Sequence, residues 1–238
     1  MIFAIDCGNT RLKWGVHDGA GWRALGLLEY ADLPGLAELI RAQPGIDRAV
    51  VANVAGPQVG DAVLSALTLL GTPHVWVKSQ SAQCGVRNLY DNPAQLGADR
   101  WAALIGARTL HAGACLVVCA GTATTVDVLD DEGNFQGDLI LPGVALMVRA
   151  LAGNTAQLPL AEGKFAGLPR NTADAIASGC LHAQAGAIER MFEQVAAYAE
   201  ATCLVGGGAA AQLCDLLRIP TRQVDTLVLE GLARIGRE

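Results

Sequence analysis

Basic charge is in short supply in this chain: 17 Lys and Arg stand against 23 Asp and Glu, a formal net charge of −6. That balance argues against duplex nucleic acid or an anionic membrane as a partner and favours a small molecule. The seven cysteines (Cys7, Cys84, Cys115, Cys119, Cys180, Cys203 and Cys214) are odd in number and include no Cys-x-x-Cys pair. A disulfide framework or zinc site is therefore a poor reading, and reduced thiols in the core a better one. His17, His74, His111 and His182 are scattered without metal-ligand spacing. No apolar run reaches the roughly 18 residues of a membrane span, and the opening MIFAIDCGNT has neither a basic start nor a long apolar stretch, so a soluble, cytoplasmic protein is expected. Neither Gly-x-x-x-x-Gly-Lys-Ser/Thr nor Gly-x-Gly-x-x-Gly occurs, so any phosphate site is not a P-loop or a dinucleotide-binding turn.

What the chain does have is apolar residue, 52% of 238 positions, enough to build one large or two compact cores. Residues 2–5, 11–17 and 22–30 read as strands separated by the turn signals Gly8-Asn9 and Asp18-Gly19. Helical spacing follows at 33–43 and 59–71, with buried strands at 48–56 and 74–78. Residues 79–97 lack periodicity and are long for a connection, which marks a functional loop. A helix over 98–111 carries Asp99 in its first turn. At Cys115 the opening order restarts as strand, Gly-Thr turn, strand, Glu-Gly-Asn turn and strand. The repeat predicts a division into residues 1–111 and 112–238, both α/β with mixed sheets. The second half continues with a helix at 144–155, a loop over 159–171, a long helical stretch from Thr172 to Glu200, a strand at 202–208 and helices at 209–218 and 226–234.

Three turns follow apolar strands: Asp6-Cys7-Gly8-Asn9-Thr10, Gly121-Thr122-Ala123-Thr124-Thr125 and Gly206-Gly207-Gly208. Glycine lets backbone N–H groups come close to a phosphate and hydroxyls add adjustable donors, so such turns make an anion cradle. The Asp6 carboxylate is what a magnesium ion riding on that phosphate needs nearby, directly or through water. Ordinary hairpin chemistry also accounts for a lone Gly-Asn turn; the repetition of the pattern favours function.

Four stretches, DCGNT at 6–10, LGADRWAAL at 96–104, GTATTVDVLD at 121–130 and NTADAIASG at 171–179, resemble type III pantothenate kinase, whose relatives include the Bvg accessory factors. The resemblance spans nearly the whole chain in the family's order. It implies two ribonuclease H-like (actin-like ATPase) domains with mixed sheets facing across a nucleotide cleft, and ATP-dependent phosphorylation of pantothenate to 4'-phosphopantothenate, the first step towards coenzyme A. It further implies that ATP contacts the first hairpin (Asp6, Cys7, Gly8, Asn9, Thr10, Arg11, Leu12 and Lys13) and the Gly121-Thr122 turn. Pantothenate then falls to Gly97, Ala98, Asp99 and Arg100, with Tyr90 and Thr172 as further substrate positions and Asp99 as general base. Arg100 is suited to the pantothenate carboxylate.

Each of these residues also has a plainer reading. Asp99 complements a helix dipole, Lys13 is an exposed strand lysine, Tyr90 caps the core from a loop, and Thr172 is a helix N-cap. Asp127 serves phosphate or magnesium, or is a polar residue on a solvated strand face. Where many family members hold a potassium or ammonium ion with an Asp two residues before the Gly-Thr, this chain has Cys119. A neutral thiol is a poor ligand for a hard monovalent cation, so dependence on that ion is in question. The stretch 172–200 is apolar enough for a self-association face, and the family is dimeric, so a homodimer is expected, with burial inside the monomer as the alternative. A catalytically weak accessory factor of the same fold is the alternative function. A nuclease on this scaffold lacks the clustered carboxylates it needs, and a sugar kinase normally has a longer chain.

Overall fold

The structure is a computed structural model and describes residues 1–155 and 162–238. The chain forms two compact units: Met1–Ala112 with Gly133–Phe135 and Thr226–Glu238 make the first, Gly113–Glu132 with Gln136–Asp225 the second. Unit 1 opens with the antiparallel meander β1 (Ile2–Cys7), β2 (Arg11–His17) and β3 (Trp22–Glu29), as the turn signals predict. A 3-10 turn over Tyr30–Gly35 precedes α1 (Leu36–Arg41), so the helix expected at 33–43 is shorter, with Pro34 in the 3-10 turn. Then come β4 (Arg48–Asn53), α2 (Pro57–Leu69) and β5 (His74–Trp76). The resulting sheet has the order β3-β2-β1-β4-β5, with β4 parallel to both β1 and β5. β1 is buried along its whole length, and Phe3, Ile5, Leu12, Leu36, Val51, Val63 and Leu67 form the core against α1 and α2.

The segment 79–97 is more ordered than its composition suggests. It holds β6 (Ala82–Gln83), β7 (Val86–Asn88) and a 3-10 turn at Pro93–Gln95, capped by the Asn92 side chain accepting from Ala94 N at 3.1 Å. α3 (Ala98–Leu110) follows, and eight consecutive residues of it, Arg100–Ala107, are buried.

Unit 2 restarts the strand pattern with β8 (Cys115–Ala120), β9 (Ala123–Leu129) and β10 (Asn134–Pro142), then α4 (Val144–Asn154) and α5 (Thr172–Phe192). Of the loop expected at 159–171, residues 159–161 lie outside the described residues. β11 (Thr202–Gly206), α6 (Ala210–Cys214) and β12 (Thr221–Gln223) complete the unit, with β12, β11, β8, β9 and β10 adjacent in that order. α5 stops at Phe192, short of Glu200: Val195 N and Ala196 N both return to the Phe192 carbonyl, and Val195 is fully buried in the core. β11 ends where Gly207 takes a φ of +104°. Strand β12, three residues behind Pro220, has too little periodicity to be read from sequence.

The closing helix α7 (Leu227–Ile235) packs with unit 1, on α3 and β1. A linear division at 111/112 places it in the other half. The contact is very close: a Cβ at Gly231 would fall on the Ala102 carbonyl, and one at Gly106 on the Leu227 carbonyl. Among the described residues no helix is long and apolar enough to cross a membrane.

Candidate active site

Asp6 is the penultimate residue of β1, and the antiparallel register sets it opposite Lys13 on β2. Its carboxylate is buried, 6% exposed, and Oδ1 has no hydrogen-bond partner. Burial first, then the negative charge of Asp99, push its pKa up to about 7, against the opposing pull of Lys13. The three charged groups thus share one neighbourhood in unit 1. The alternation of a strand also sorts its neighbours: Cys7 and Leu12 bury their side chains completely, so they offer a ligand backbone only. The Cys7 thiol is pushed up to about 12 by burial and the Asp6 charge, which leaves it protonated and inert. Arg11 faces outward in an ion pair with Glu29 at 3.8 Å. Gly8, Asn9 and Thr10 form the exposed to half-buried turn, held by Tyr30 Oη donating to the Gly8 carbonyl.

Asp99 lies in the first turn of α3, half-buried, and its Oδ1 accepts from the Arg100 backbone N–H at 2.8 Å. Gly97 is the N-cap, and a Cβ there would sit 2.7 Å from Asp99 Oδ1. A larger residue there would push the carboxylate out of that position. The Val54 side chain borders the same gap, 3.9 Å from that Cβ position, and Val54 N donates to the Cys7 carbonyl at 3.0 Å. The ends of β1 and β4 and the start of α3 therefore meet at one place.

Next to Asp99, Arg100 is buried, 7% exposed, with Nη1 3.4 Å from Tyr90 Oη and its guanidinium carbon 5.9 Å from the centre of the Phe135 ring. Tyr90 and Phe135 rings lie 5.0 Å apart. The buried Asn88 side chain sets this loop, accepting from Tyr90 N at 3.0 Å and donating to Ser79 Oγ at 2.9 Å.

In unit 2, Gly121 and Thr122 form an exposed turn between β8 and β9. Gly143 N donates to the Thr122 carbonyl at 2.9 Å, and a Cβ on Gly143 would meet the backbone of that turn. Gly207 makes the same close approach to Ala120. Thr124 and Thr125 bury hydroxyls that have no hydrogen-bond partner. Asp127 is fully buried on β9, which excludes a solvated strand face. Thr172 is the exposed first residue of α5, but the N-cap is Asn171, whose side chain accepts from Asp174 N at 2.9 Å. The residues expected to form the site thus fall into two sets: Asp6–Lys13, Tyr90 and Gly97–Arg100 in unit 1, Gly121, Thr122, Asp127 and Thr172 in unit 2. Asn88 escapes sequence reading because it lies in the 79–97 stretch without periodicity, and Phe135 reads from sequence only as a strand residue. Gly143, in the Pro-Gly pair before α4, carried a signal.

A buried carboxylate oxygen without a donor fits a divalent cation. Among the described residues no group of three metal-ligating side chains exists, so such an ion would be held by Asp6 together with phosphate oxygens and water.

A sequence profile described as type III pantothenate kinase matches residues 2–194. The chain belongs to the type III pantothenate kinase family. It is 60% identical over its full length to the type III pantothenate kinase of Aromatoleum aromaticum, covering 98% of that protein, and 54% identical to that of Azoarcus sp. over 99% of this chain and 90% of the relative. Among solved structures it resembles a Sinorhizobium meliloti protein proposed to be a 2-dehydro-3-deoxygalactonokinase, with a TM-score of 0.63, 16% identity and coverage of 100% of this chain and 98% of that one. At that identity the likeness shows a shared fold, α/β with two sheets, and nothing about substrate. The matched span includes the Gly97–Arg100 stretch and the turns at Gly8-Asn9 and Gly121-Thr122.

Proposed function

We propose that this chain transfers the γ-phosphoryl group of ATP to the primary hydroxyl of pantothenate, giving 4'-phosphopantothenate and ADP, the first step towards coenzyme A. The observation that carries the proposal is the half-buried Asp99 carboxylate in the first turn of α3, held by the Arg100 N–H and near enough to Asp6 to raise its pKa, with the Arg100 guanidinium beside Tyr90. Phosphoryl transfer asks the protein mainly for alignment and charge neutralisation. Asp99 orients the acceptor hydroxyl and takes its proton as the new P–O bond forms and the bond to ADP breaks. Arg100 and Tyr90 hold the far carboxylate, which fixes the distance from anchor to reacting oxygen. The turns at Gly8–Thr10 and Gly121–Thr122 hold phosphate oxygens, with Lys13 adding charge. Magnesium, when bound beside Asp6, supplies charge neutralisation on the transferred group.

The same reading takes the chain as two ribonuclease H-like domains, with Thr172 as an acceptor-binding residue, and takes the enzyme as a cytoplasmic homodimer that self-associates through the Thr172–Glu200 stretch. Cys119 in place of an oxygen ligand supports turnover that needs no potassium or ammonium ion. A coupled assay of ADP release tests the function: the parent should turn over with pantothenate and Asp99→Asn should lose about 100-fold or more in kcat, the usual size of a general-base contribution. ADP release at background with pantothenate present would sink the proposal and favour an accessory role.

A further inference from the structure

One position on the core-facing side of α5 is out of character. Leu181, Ala185, Ile188 and Phe192 bury hydrocarbon there, yet Gln184 among them is a fully buried amide. Its Nε2 donates to the Pro142 carbonyl at 2.6 Å and lies 3.3 Å from Met147 Sδ, while Oε1 has no hydrogen-bond partner. A methionine would fill about the same space without stranding an acceptor, whose burial works against stability. The donor half of the amide is therefore what this position retains.

That donor grips one end of a single peptide group. The Pro142–Gly143 peptide is planar and trans, so its C=O and N–H point to opposite sides. The C=O accepts from Gln184; the N–H donates to the Thr122 carbonyl at 2.9 Å, in the turn proposed to hold phosphate. A Cβ at residue 143 would fall on the Gly121 carbonyl, a backbone atom that cannot swing aside, which keeps glycine there. The same lack of a side chain lets φ at residue 143 change sign at little cost. Rotation of the intervening peptide is how a Pro-Gly pair passes between the two common turn types. A clamp on the carbonyl end opposes that rotation.

We infer that Gln184 is a positioning residue for the nucleotide: it locks the plane of the Pro142–Gly143 peptide, so that the Gly143 N–H stays aimed at the backbone of the Gly121–Thr122 turn. Being fully buried, Gln184 acts through that peptide and touches no ligand. The tie runs through backbone groups and asks nothing of the Thr122 side chain. The inference rests on the proposed phosphate role of this turn.

The test is Gln184→Met, which keeps the length of the side chain and removes the donor. Amide hydrogen exchange by NMR on the ligand-free protein should show the Gly143 N–H exchanging about fivefold faster than in the parent, the worth of one neutral hydrogen bond, with the amides of β11 unchanged. Calorimetry with magnesium and the β,γ-imido analogue of ATP should show Kd raised by about the same factor. The KM for pantothenate and kcat should stay within about twofold, and Tm should change little, because the stranded Oε1 leaves together with the bond. An unchanged Gly143 exchange rate, or a large fall in Tm with Kd unchanged, would overturn the inference and leave the kinase reading intact, since Gln184 would then only fill space. Faster Gly143 exchange and weaker analogue binding in a protein without pantothenate-dependent turnover would uphold the inference and overturn the acceptor. A parent that does not bind the analogue would overturn both. Should Gln184→Met fail to give folded protein, Gln184→Leu carries the same comparison.

Discussion

Replacing Asp6 by Asn should make the ligand-free protein more stable above neutral pH while abolishing its catalysis. Asp6 is buried with Oδ1 unpartnered, and its pKa is pushed up from 3.8 to about 7 by burial and by the Asp99 charge. The folded state therefore holds the proton more tightly than the unfolded state, and stability falls as pH rises between those two values. At 1.36 kcal/mol per pH unit, the interval corresponds to about 4 kcal/mol of stability present at pH 4 and lost by pH 8. An asparagine of nearly the same shape carries no charge to desolvate, so most of that dependence should vanish. All four tryptophans, Trp14, Trp22, Trp76 and Trp101, belong to unit 1, which makes their fluorescence a probe of the unit that contains Asp6. Urea titrations of parent and Asp6→Asn, without nucleotide and from pH 5 to 8.5, should give curves that diverge with rising pH, the variant being the more stable at the alkaline end. In thermal melts that gap amounts to a Tm difference on the order of 10 °C. Parallel pH profiles, or a variant less stable than the parent at pH 8, would refute the reasoning. The phosphoryl-transfer rate should fall in the same variant, a stability gained by giving up a functional charge.

Gly231→Ala puts a methyl group onto the Ala102 carbonyl at the α3–α7 crossing and should cost about 1–3 kcal/mol, the range for overpacking, read as a lower urea midpoint in tryptophan fluorescence. Asn171→Ala removes the cap whose side chain accepts from Asp174 N. It should cost about 1 kcal/mol, measured as a small fall in Tm, while Thr172→Ala at the exposed first position of the helix should leave Tm nearly unchanged. Initial rates in potassium, ammonium and sodium chloride at equal ionic strength should agree within about twofold if the Cys119 thiol holds no monovalent cation. A strong potassium activation would show that other oxygen ligands do so.

How far the sequence discloses this architecture depends on how local each signal is. The meander β1–β2–β3 and the turn at Gly121-Thr122 were legible because strand alternation and turn glycines act over a few residues. The start of α3 was legible for the same reason, Gly97 and Asp99 being cap and first-turn residues. Distances along the chain defeat such reasoning elsewhere. That Asp99 comes near enough to Asp6 to raise its pKa is set by the β1–β4 pairing and the packing of α3, which no local pattern encodes. α7 reads as an amphipathic helix, but its attachment to unit 1 depends on two glycines, Gly106 and Gly231, whose meaning appears only when the helices cross. Phe135 is legible as a strand residue and no more, because its partner β7 is three residues long within a stretch that looks like loop.

The distribution of unsatisfied polar groups argues for where this fold has been shaped by chemistry. Among the described residues six buried side-chain atoms lack a hydrogen-bond partner, on Asp6, Trp14, His111, Thr124, Thr125 and Gln184. Three of the six, on Asp6, Thr124 and Thr125, belong to strand residues adjoining the two turns proposed to hold phosphate. A buried polar atom without a partner costs about 1–3 kcal/mol, so leaving three of them there has a stability cost that apolar replacements of similar shape would avoid. Violations of local rules that gather at one kind of place are expected at functional sites. The acceptor side shows the opposite arrangement: Asn88, Tyr90 and Arg100 are tied by named contacts, with Phe135 packed beneath. On the proposed reading, the groups that meet a phosphate chain are left open and those that discriminate one small acid are tied in place before it arrives.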